Sequence, residues 1–165
     1  MVGLGSAKAA LVAMVLAGPA QADMTSRTLA EDILLFGSGN SARLDAPRDV
    51  LAAGSTVVLK GAVAQDTPAV GFDVDIGAAT GGDLYAIGFS ISLRGPVEGD
   101  LTASGMSVYT SANAVVSGNA RLAGRTVIID GAISGGLAAA GAEVILNAQV
   151  SGVGATAFAD PGHVL

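Results

Sequence analysis

The sequence contains no cysteine and no tryptophan, and aromatic residues make up only 4% of the chain. Without cysteine, disulfides and thiolate metal sites are excluded. A globular core normally uses more aromatic bulk, whereas a stack of narrow layers is filled by small and branched side chains. Charged residues are also scarce, at 13%, and the formal net charge is -6. An acidic chain without a basic patch repels phosphate, so nucleic acid is not expected as a partner.

Glycine, in contrast, is abundant, and its spacing is regular. The 24 glycines include a set at a near-constant interval, namely Gly54, Gly71, Gly88, Gly105, Gly124 and Gly141. The interval from Gly105 to Gly124 is slightly longer than the others. Self-similarity at a short interval, here about 17 residues, is typical of stacked repeat architectures. The stretch Gly88–Leu101 represents one coil of this repeat.

Apolar residues keep fixed positions relative to these glycines. The third residue after each glycine is Val57, Val74, Ile91, Val108, Val127 or Val144, and the fifth is Leu59, Ile76, Leu93, Thr110, Ile129 or Leu146. A spacing of two places both on one face of a strand. Two further sets are Val63, Val97, Ile133 and Val150, and Val50, Leu84, Leu101 and Leu137. The pattern predicts an all-β single-stranded parallel β-helix (β-solenoid) with three short strands per coil of about 17 residues and about six to seven coils.

An antiparallel β-sandwich is the alternative, because it also gives short strands and regular glycine turns. Hairpin strands need not repeat residue type position by position, as these segments do, so the solenoid is favoured. We place the β-helix domain at 34–154 and a C-terminal cap or tail at 155–165.

The amino-terminal residues have the pattern of an export signal. Lys8 precedes an apolar run, Ala9–Ala17, and a small-x-small triplet ends at Ala22. Residues 1–22 are therefore predicted to be a signal peptide or an N-terminal anchor, with the protein in the periplasm or at the cell surface. No second membrane-spanning segment is expected. Residues 23–33 are predicted to form a lead-in strand or short helix.

At two places the sequence departs from the regular spacing of the repeat, and each departure leads to a structural prediction. Two extra residues within Ser111–Gly118 are expected to bulge outward at a corner without disturbing the columns. In the first coil, the best alignment pairs Gly39–Pro47 with Gly88–Pro96, which predicts that the turn before Gly54 is shorter than the others.

Three segments, 49–59, 95–105 and 118–129, resemble coils of the bactofilin, or polymer-forming cytoskeletal, family. They read Asp-Val-Leu-Ala-Ala-Gly-Ser-Thr-Val-Val-Leu, Gly-Pro-Val-Glu-Gly-Asp-Leu-Thr-Ala-Ser-Gly and Gly-Asn-Ala-Arg-Leu-Ala-Gly-Arg-Thr-Val-Ile-Ile. The resemblance covers about 34–153 and implies a right-handed β-helix that joins end to end into nucleotide-free filaments. Cytoplasmic members scaffold cell-shape or envelope processes. The export signal departs from that pattern, so the chain is similar to exported relatives in the bacterial cell envelope.

A column of acids is predicted at one corner of the coil, at Asp49, Asp66, Asp83 and Asp100. Stacked carboxylates could bind Ca²⁺ through oxygen ligands. Aspartate is also a good turn residue whose side chain accepts hydrogen bonds from nearby backbone amides. We favour the turn role and expect no metal and no cofactor.

Bulky residues follow three of the repeat glycines, at Phe72, Phe89 and Met106. They lie two residues before the inward Val74 and Ile91, so strand alternation favours an inward orientation. Arg125 occupies the same column and indicates partial exposure. If the three side chains point outward, they form a patch for lateral packing.

No convincing catalytic constellation emerges from the sequence, and a non-enzymatic protein is expected. His163 lies in the terminal tail, unlike the histidine base between coils of hexapeptide acyltransferases. Asp73 and Asp75 form the one tight acidic pair and are predicted on an exposed strand face. Polysaccharide-cleaving β-helices would need clustered acids on such a face.

The leading functional hypothesis is a structural protein that self-associates end to end. Its contacts are expected at Leu34, Leu35 and Phe36 at one end and at Leu146, Val150 and Phe158 at the other. The alternative is an exported envelope or adhesin-like module that binds polysaccharide or another protein, with Tyr85 and Tyr109 as its available aromatic side chains.

Overall fold

The computed structural model describes residues 24–29, 31–152 and 154–159. The predictions for residues 1–22 and for His163 lie outside this part of the chain. The strands are β1 (Met24–Leu29), β2 (Asp32–Ala46), β3 (Val50–Val63), β4 (Thr67–Ile76), β5 (Ala79–Thr80), β6 (Leu84–Leu93), β7 (Leu101–Thr110), β8 (Ala120–Ile129), β9 (Leu137–Gly141), β10 (Glu143–Leu146) and β11 (Ala155–Ala159). Within the described residues there is no helix long and apolar enough to cross a membrane.

The strands stack in one direction, as the repeat predicts. From β2 onward every pairing is parallel, and each residue lies beside its counterpart in the next coil, as Gly54 lies beside Gly71. The longer interval between repeat glycines falls between β7 and β8, and it does not change the register, because Gly105 still lies beside Gly124. The fold is therefore a β-solenoid of about seven coils, which confirms the predicted fold class.

Each coil has three sides. Face A ends at the repeat glycine, as in Val50–Gly54, and face B follows it, as in Thr56–Leu59. Face C is a single bridging residue in most coils, with parallel bridges running from Thr80 through Val97, Val116 and Ile133 to Val150. Strands this short are stable because each layer forms main-chain hydrogen bonds with the layers above and below it.

The predicted inward columns form the core. On face B, Val57, Val74, Ile91, Val108 and Val127 are buried, and so are the residues two positions later. Leu84, Leu101 and Leu137 are buried on face A, and Val63, Val97 and Ile133 are buried on face C. The core is thus one continuous and mainly aliphatic rod that also contains the buried Thr67, Thr80 and Thr110. The predicted columns are confirmed except at their last members, Val144, Leu146 and Val150, which are not fully buried.

The two predicted departures from the period have different outcomes. The extra residues near Ser111 do bulge outward, because Ala112 and Asn113 are exposed in a turn closed by a 2.9 Å hydrogen bond from the Ala114 N–H to the Ser111 carbonyl. The prediction that the first coil is shorter than the others is wrong. Gly37, not Gly39, pairs with Gly54, so the regular register starts with the first coil. Asn40 consequently occupies the column of Val57.

The lead-in segment is a strand that folds back. β1 pairs antiparallel with Asp32–Gly37 of β2 through a tight turn in which Glu31 has a φ of 82°. It is the antiparallel exception among the described strands. Its position covers the outer edge of the first face A segment.

The repeat glycine is required by the close approach of successive layers. A Cβ on Gly88 would lie 2.6 Å from the Gly71 carbonyl oxygen and 3.2 Å from a Val74 methyl group. A Cβ on Gly77, which lies beyond face B, would have its nearest contact at 3.6 Å, with the Leu59 carbonyl oxygen. Gly88 and Gly77 therefore form a matched pair for substitution by alanine, because a Cβ clashes with the neighbouring layer at Gly88 and does not clash at Gly77.

We expect Gly88→Ala to lower the free energy of unfolding by about 1–3 kcal/mol, because overpacking forces the layers apart. Gly77→Ala should be neutral or stabilise by about 0.4–1 kcal/mol, because it restricts the unfolded chain without a clash. Urea denaturation of both variants measures the difference. Equal midpoints would contradict the layer geometry.

Candidate functional site

Among the residues that the structure describes, nothing covers face B at the carboxyl-terminal end of the rod. β10 is the last described layer of this face, and among the described strands it pairs only with β8. Leu146 continues the column of the fully buried Ile129, yet it is 41% exposed, and Val144 above Val127 is only partly buried. Ile145 points outward and is 36% exposed. The exposure of Leu146 arises because no described layer covers it.

The other predicted contacts at this end are only partly described. Val150 ends the column of face C bridges and is half-buried against the core. The backbone of Phe158 belongs to β11, which pairs with β9 and extends face A by one layer. The side chain of Phe158 lies outside the described residues.

The amino-terminal end differs from the predicted one. Leu35 is fully buried, Leu34 is half-buried, and Phe36 is exposed on the outer surface of face A. The main-chain edge of all three residues is already paired with β1. The edge that no described strand pairs from outside is instead the later part of β2, residues 39–46. Any main-chain contact at this end would therefore form on face B.

Asn40 is a feature of this free edge that the sequence did not reveal. Its side chain is buried, and Nδ2 donates a 2.7 Å hydrogen bond to the Ala53 carbonyl. Oδ1 accepts none from the described residues. The alignment on Gly39 concealed its role, because only the observed register places the Asn40 amide where later coils have valine or isoleucine. The first layer is thus the polar end of an otherwise aliphatic column.

Phe72 and Phe89 point outward, which corrects the inward orientation that alternation favoured. They are 58% and 48% exposed, and their rings stack with centroids 4.8 Å apart and planes 5° apart. The physical reason is the corner between faces A and B. There Phe72 and Asp73 are both exposed before Val74 turns inward, so the period of two is interrupted.

These rings belong to a larger apolar surface, which we call the apolar patch. It occupies the outer side of face A and the adjoining corner. Each member is 36–58% exposed: Phe36, Leu51, Val70, Phe72, Tyr85, Ile87, Phe89 and Met106. The registers place Val70 beside Ile87, and Tyr85 beside Pro68 and Thr102. From the sequence, an outward patch of Met106 and the two rings was the alternative to the favoured inward orientation, and the exposure of Phe36 and Leu51 was not predicted.

The aspartate column links the coils through hydrogen bonds. Oδ1 of Asp66 accepts from the backbone N–H of Asp83 at 2.8 Å, and Oδ1 of Asp83 accepts from the N–H of Asp100 at 2.8 Å. The same bond joins Asp49 to Asp66, Asp100 to Asn119 and Asn119 to Gly136. Each side chain therefore satisfies a corner amide one layer further on. The acceptor role is the one expected of a turn aspartate, but the amide that each side chain satisfies lies in the next coil and not in its own turn.

Before Asp83 and Asp100 the residue is a glycine that lies against the carboxylate of the layer below, whereas Gln65 precedes Asp66, whose N–H makes the same bond to Asp49 at 3.0 Å. A Cβ on Gly82 would overlap Oδ1 of Asp66, and a Cβ on Gly99 would overlap Oδ1 of Asp83. The recurring Gly-Asp pair is thus one unit, in which glycine leaves room for the carboxylate below and aspartate supplies the carboxylate for the layer above. Within the described residues no group of three His, Cys, Asp or Glu side chains could hold a metal ion.

The column also shifts pKa values at this corner. The hydrogen bond from the Asn119 N–H lowers the pKa of Asp100, and Arg121, whose Nη1 lies 3.5 Å from Oδ2, acts in the same direction. The pKa of Tyr85 is raised, chiefly because its hydroxyl donates to Oδ2 of Asp83 at 3.2 Å. Tyr85 is thereby held on the outer surface of face A.

The remaining polar candidates lie on face B. Asp73 and Asp75 pair with Ser90 and Ser92 on its outer side, and Arg94 Nη2 lies 3.3 Å from Asp75 Oδ2. Their predicted place on a strand surface is confirmed. Tyr109 is also on this face, where it pairs with Ser92, whereas Tyr85 is on face A. The two tyrosines therefore do not form one aromatic platform.

We expect Asp83→Ala to destabilise the fold by about 1 kcal/mol, because the Asp100 N–H loses its acceptor. Asp83→Asn should retain most of the stability, since Asn119 already performs this role with an amide oxygen. Thermal unfolding measures both, with an expected loss of about 3 °C for the alanine variant. An asparagine variant as unstable as the alanine variant would show that charge, not the acceptor, matters.

Stability should fall in acid partly through Asp100. Because its folded-state pKa lies below the unfolded value, its contribution is complete above the unfolded pKa and is lost as the pH falls through the folded pKa. Asp100→Asn keeps an acceptor but cannot be protonated in this range, so its unfolding free energy should depend less steeply on pH as the pH falls below the usual pKa of an aspartate. Parallel pH profiles for the two proteins would contradict this.

Comparison with known proteins found no match for this chain among family models, curated proteins or solved structures.

Proposed function

We propose that this chain is a non-enzymatic structural protein of the bacterial cell envelope, an exported member of the bactofilin family that polymerises end to end. The observation that carries the proposal is the pair of face B strand edges, one at each end of a continuous, mainly aliphatic core, that no other described strand pairs. The resemblance of residues 49–59, 95–105 and 118–129 to bactofilin coils supports the same function.

The two edges are compatible in direction. Direct pairing on face B requires β11 to leave the edge of β9 and β1 to leave the edge of β2, because on face A these two strands occupy the layers between the two chains. All described coils run the same way, so a second chain placed head to tail would continue the parallel pairing on face B. Residues 143–146 of one chain would then lie beside residues 39–42 of the next, in the register that Thr126–Ile129 and Glu143–Leu146 already show within the chain. Addition of a strand to a free edge provides main-chain hydrogen bonds without a dedicated pocket.

Side chains would add to this contact. In that register Leu146 lies above Ala42, and Val144 lies above Asn40. The 41% of Leu146 that is exposed at the end would become covered. Burial of a leucine stabilises by roughly 1.5–3 kcal/mol when complete, so the partial burial here supplies a fraction of that. At the junction the Asn40 amide would interrupt the apolar column of Val57 with a polar side chain. This layer would therefore differ from the layers inside the rod.

Negative-stain electron microscopy of the purified full chain, with two matched variants, tests the proposal. Leu146→Asp places a charge on the inward column of β10, and Ile145→Asp places the same charge on the outward side of the same strand. The two leucine-sized residues are almost equally exposed, at 41% and 36%. We expect filaments from the wild type and from Ile145→Asp, and none from Leu146→Asp.

Filaments from all three proteins would place the junction elsewhere. A wild-type chain that forms no filaments at high concentration would refute end-to-end polymerisation. Because the two substitutions differ only in the side of the strand, a general effect of added negative charge would affect both variants equally.

A further inference from the structure

The apolar patch covers a surface that end-to-end joining leaves exposed. It lies on the side of the rod, over face A and its corner, whereas the proposed junction lies at the two ends of face B. Eight large side chains that are each roughly half exposed present on the order of 700 Å². Each partner of a stable complex buries about 800 Å². The patch is therefore large enough to form the centre of a specific interface.

The position of the patch along the rod favours a symmetric contact. Three outward columns cross it, and they begin at Leu34, Phe36 and Ser38 in the first coil. Through the first five coils these columns hold no charged residue; Arg27 of β1 lies beside Leu34 at one end, and Arg121 and Arg125 lie in the sixth coil at the other. The rest of the chain is acidic, with 14 Asp and Glu residues in all. A second copy could therefore contact this surface without opposing like charges in these columns.

The shape of the patch also suits a second copy. Side chains on parallel in-register strands stand at equal height, because each layer repeats the backbone of the one before it. The stacked rings of Phe72 and Phe89 continue with Met106 as one ridge along the corner. A two-fold contact requires a surface complementary to itself. A flat sheet face bordered by a ridge meets this requirement when the ridge of each copy lies against the sheet face of the other.

We propose that two copies of this chain pair side by side through the apolar patch, face A against face A. The contact is independent of end-to-end growth, and it would join two rods, or two filaments, laterally. The central residues are Val70, Phe72, Ile87 and Phe89, and Tyr85 lies at the margin, where Asp83 holds its hydroxyl.

Analytical ultracentrifugation of the full chain carrying Leu146→Asp measures this contact with the proposed end junction blocked. We expect a dimer. Adding Phe72→Ser and Phe89→Ser should weaken dimerisation by at least about 100-fold, because two buried rings are lost. Adding Val115→Ser is the matched control, since Val115 is similarly exposed, at 40%, but lies near face C. It should leave the dimer intact.

If end-to-end growth fails, the wild-type chain itself should sediment as a dimer and lose that state with the two serine substitutions. If growth occurs, wild-type filaments should be paired, and filaments of the double serine variant should be single. Unchanged circular dichroism of the double variant would show that it still folds.

Salt dependence gives a second readout. Two acidic copies repel each other, and screening reduces that repulsion, so the lateral dimer should tighten as the salt concentration rises. Single cysteines provide a direct check, because the chain has none of its own. Ile87→Cys should cross-link between copies with a thiol-reactive linker of about 10 Å, the distance between packed sheets, and Val115→Cys should not.

A chain that remains monomeric with the patch intact would overturn the proposal. So would an association that persists unchanged in the double serine variant. Binding to vesicles of neutral phospholipid by a monomer, if lost with the two rings, would also overturn it, because a lipid surface would then be the occupant of the patch.

Discussion

Parallel pairing of each coil with the next is the interaction on which the rest of this structure depends. It places every outward and inward residue directly beside the equivalent residue of the next coil. A residue type that recurs in the repeat therefore forms a column along the rod. The aliphatic core, the aspartate column and the apolar patch are all columns of this kind. Because the layers approach within main-chain hydrogen-bonding distance, the backbone at each corner tolerates few side chains. The repeat glycines mark the places where none fits.

The aspartate column shows how the same constraint is met with polar atoms. Corner amides would otherwise lack an acceptor, and each is satisfied by a carboxylate from the layer before. Acids at one layer spacing repel each other, but by only about 1 kcal/mol in a water-like medium. The charge-assisted bond to each amide opposes that repulsion. Replacement of the acid by Asn119 and then by Gly136 reduces the number of stacked charges towards one end of the rod.

Much of the fold could be predicted from the sequence because equivalent residues of successive repeats pair with each other, so the repeat itself defines the strand register. The glycine spacing and the columns at Val57 and Leu59 were sufficient to predict coil length, face and burial for most of the chain. The failures lie where the repeat changes. Gly37 was missed in favour of Gly39, because the first coil has Asn40 and Ala42 where later coils have large aliphatic residues. The side on which Phe72 lies could not follow from alternation, since the chain turns a corner there. The return of β1 as an antiparallel strand belongs to no repeat and left no periodic signal.

The two proposed contacts follow from the places where columns end or face solvent. At the ends of the described part of the chain, inward columns stop at Leu146 and at Asn40, and no described strand pairs the outer main-chain edges of face B. On the side, outward columns carry apolar residues through five coils. If both contacts form, the rod grows in one direction through strand pairing and in another through side-chain packing. The central claim is that the stacking of layers continues from one chain to the next. Cryo-electron microscopy of the assembled protein tests it most directly: the account predicts a continuous layer spacing of about 4.8 Å with a subunit repeat of about 35 Å along the axis, and separate particles without an axial repeat would contradict it.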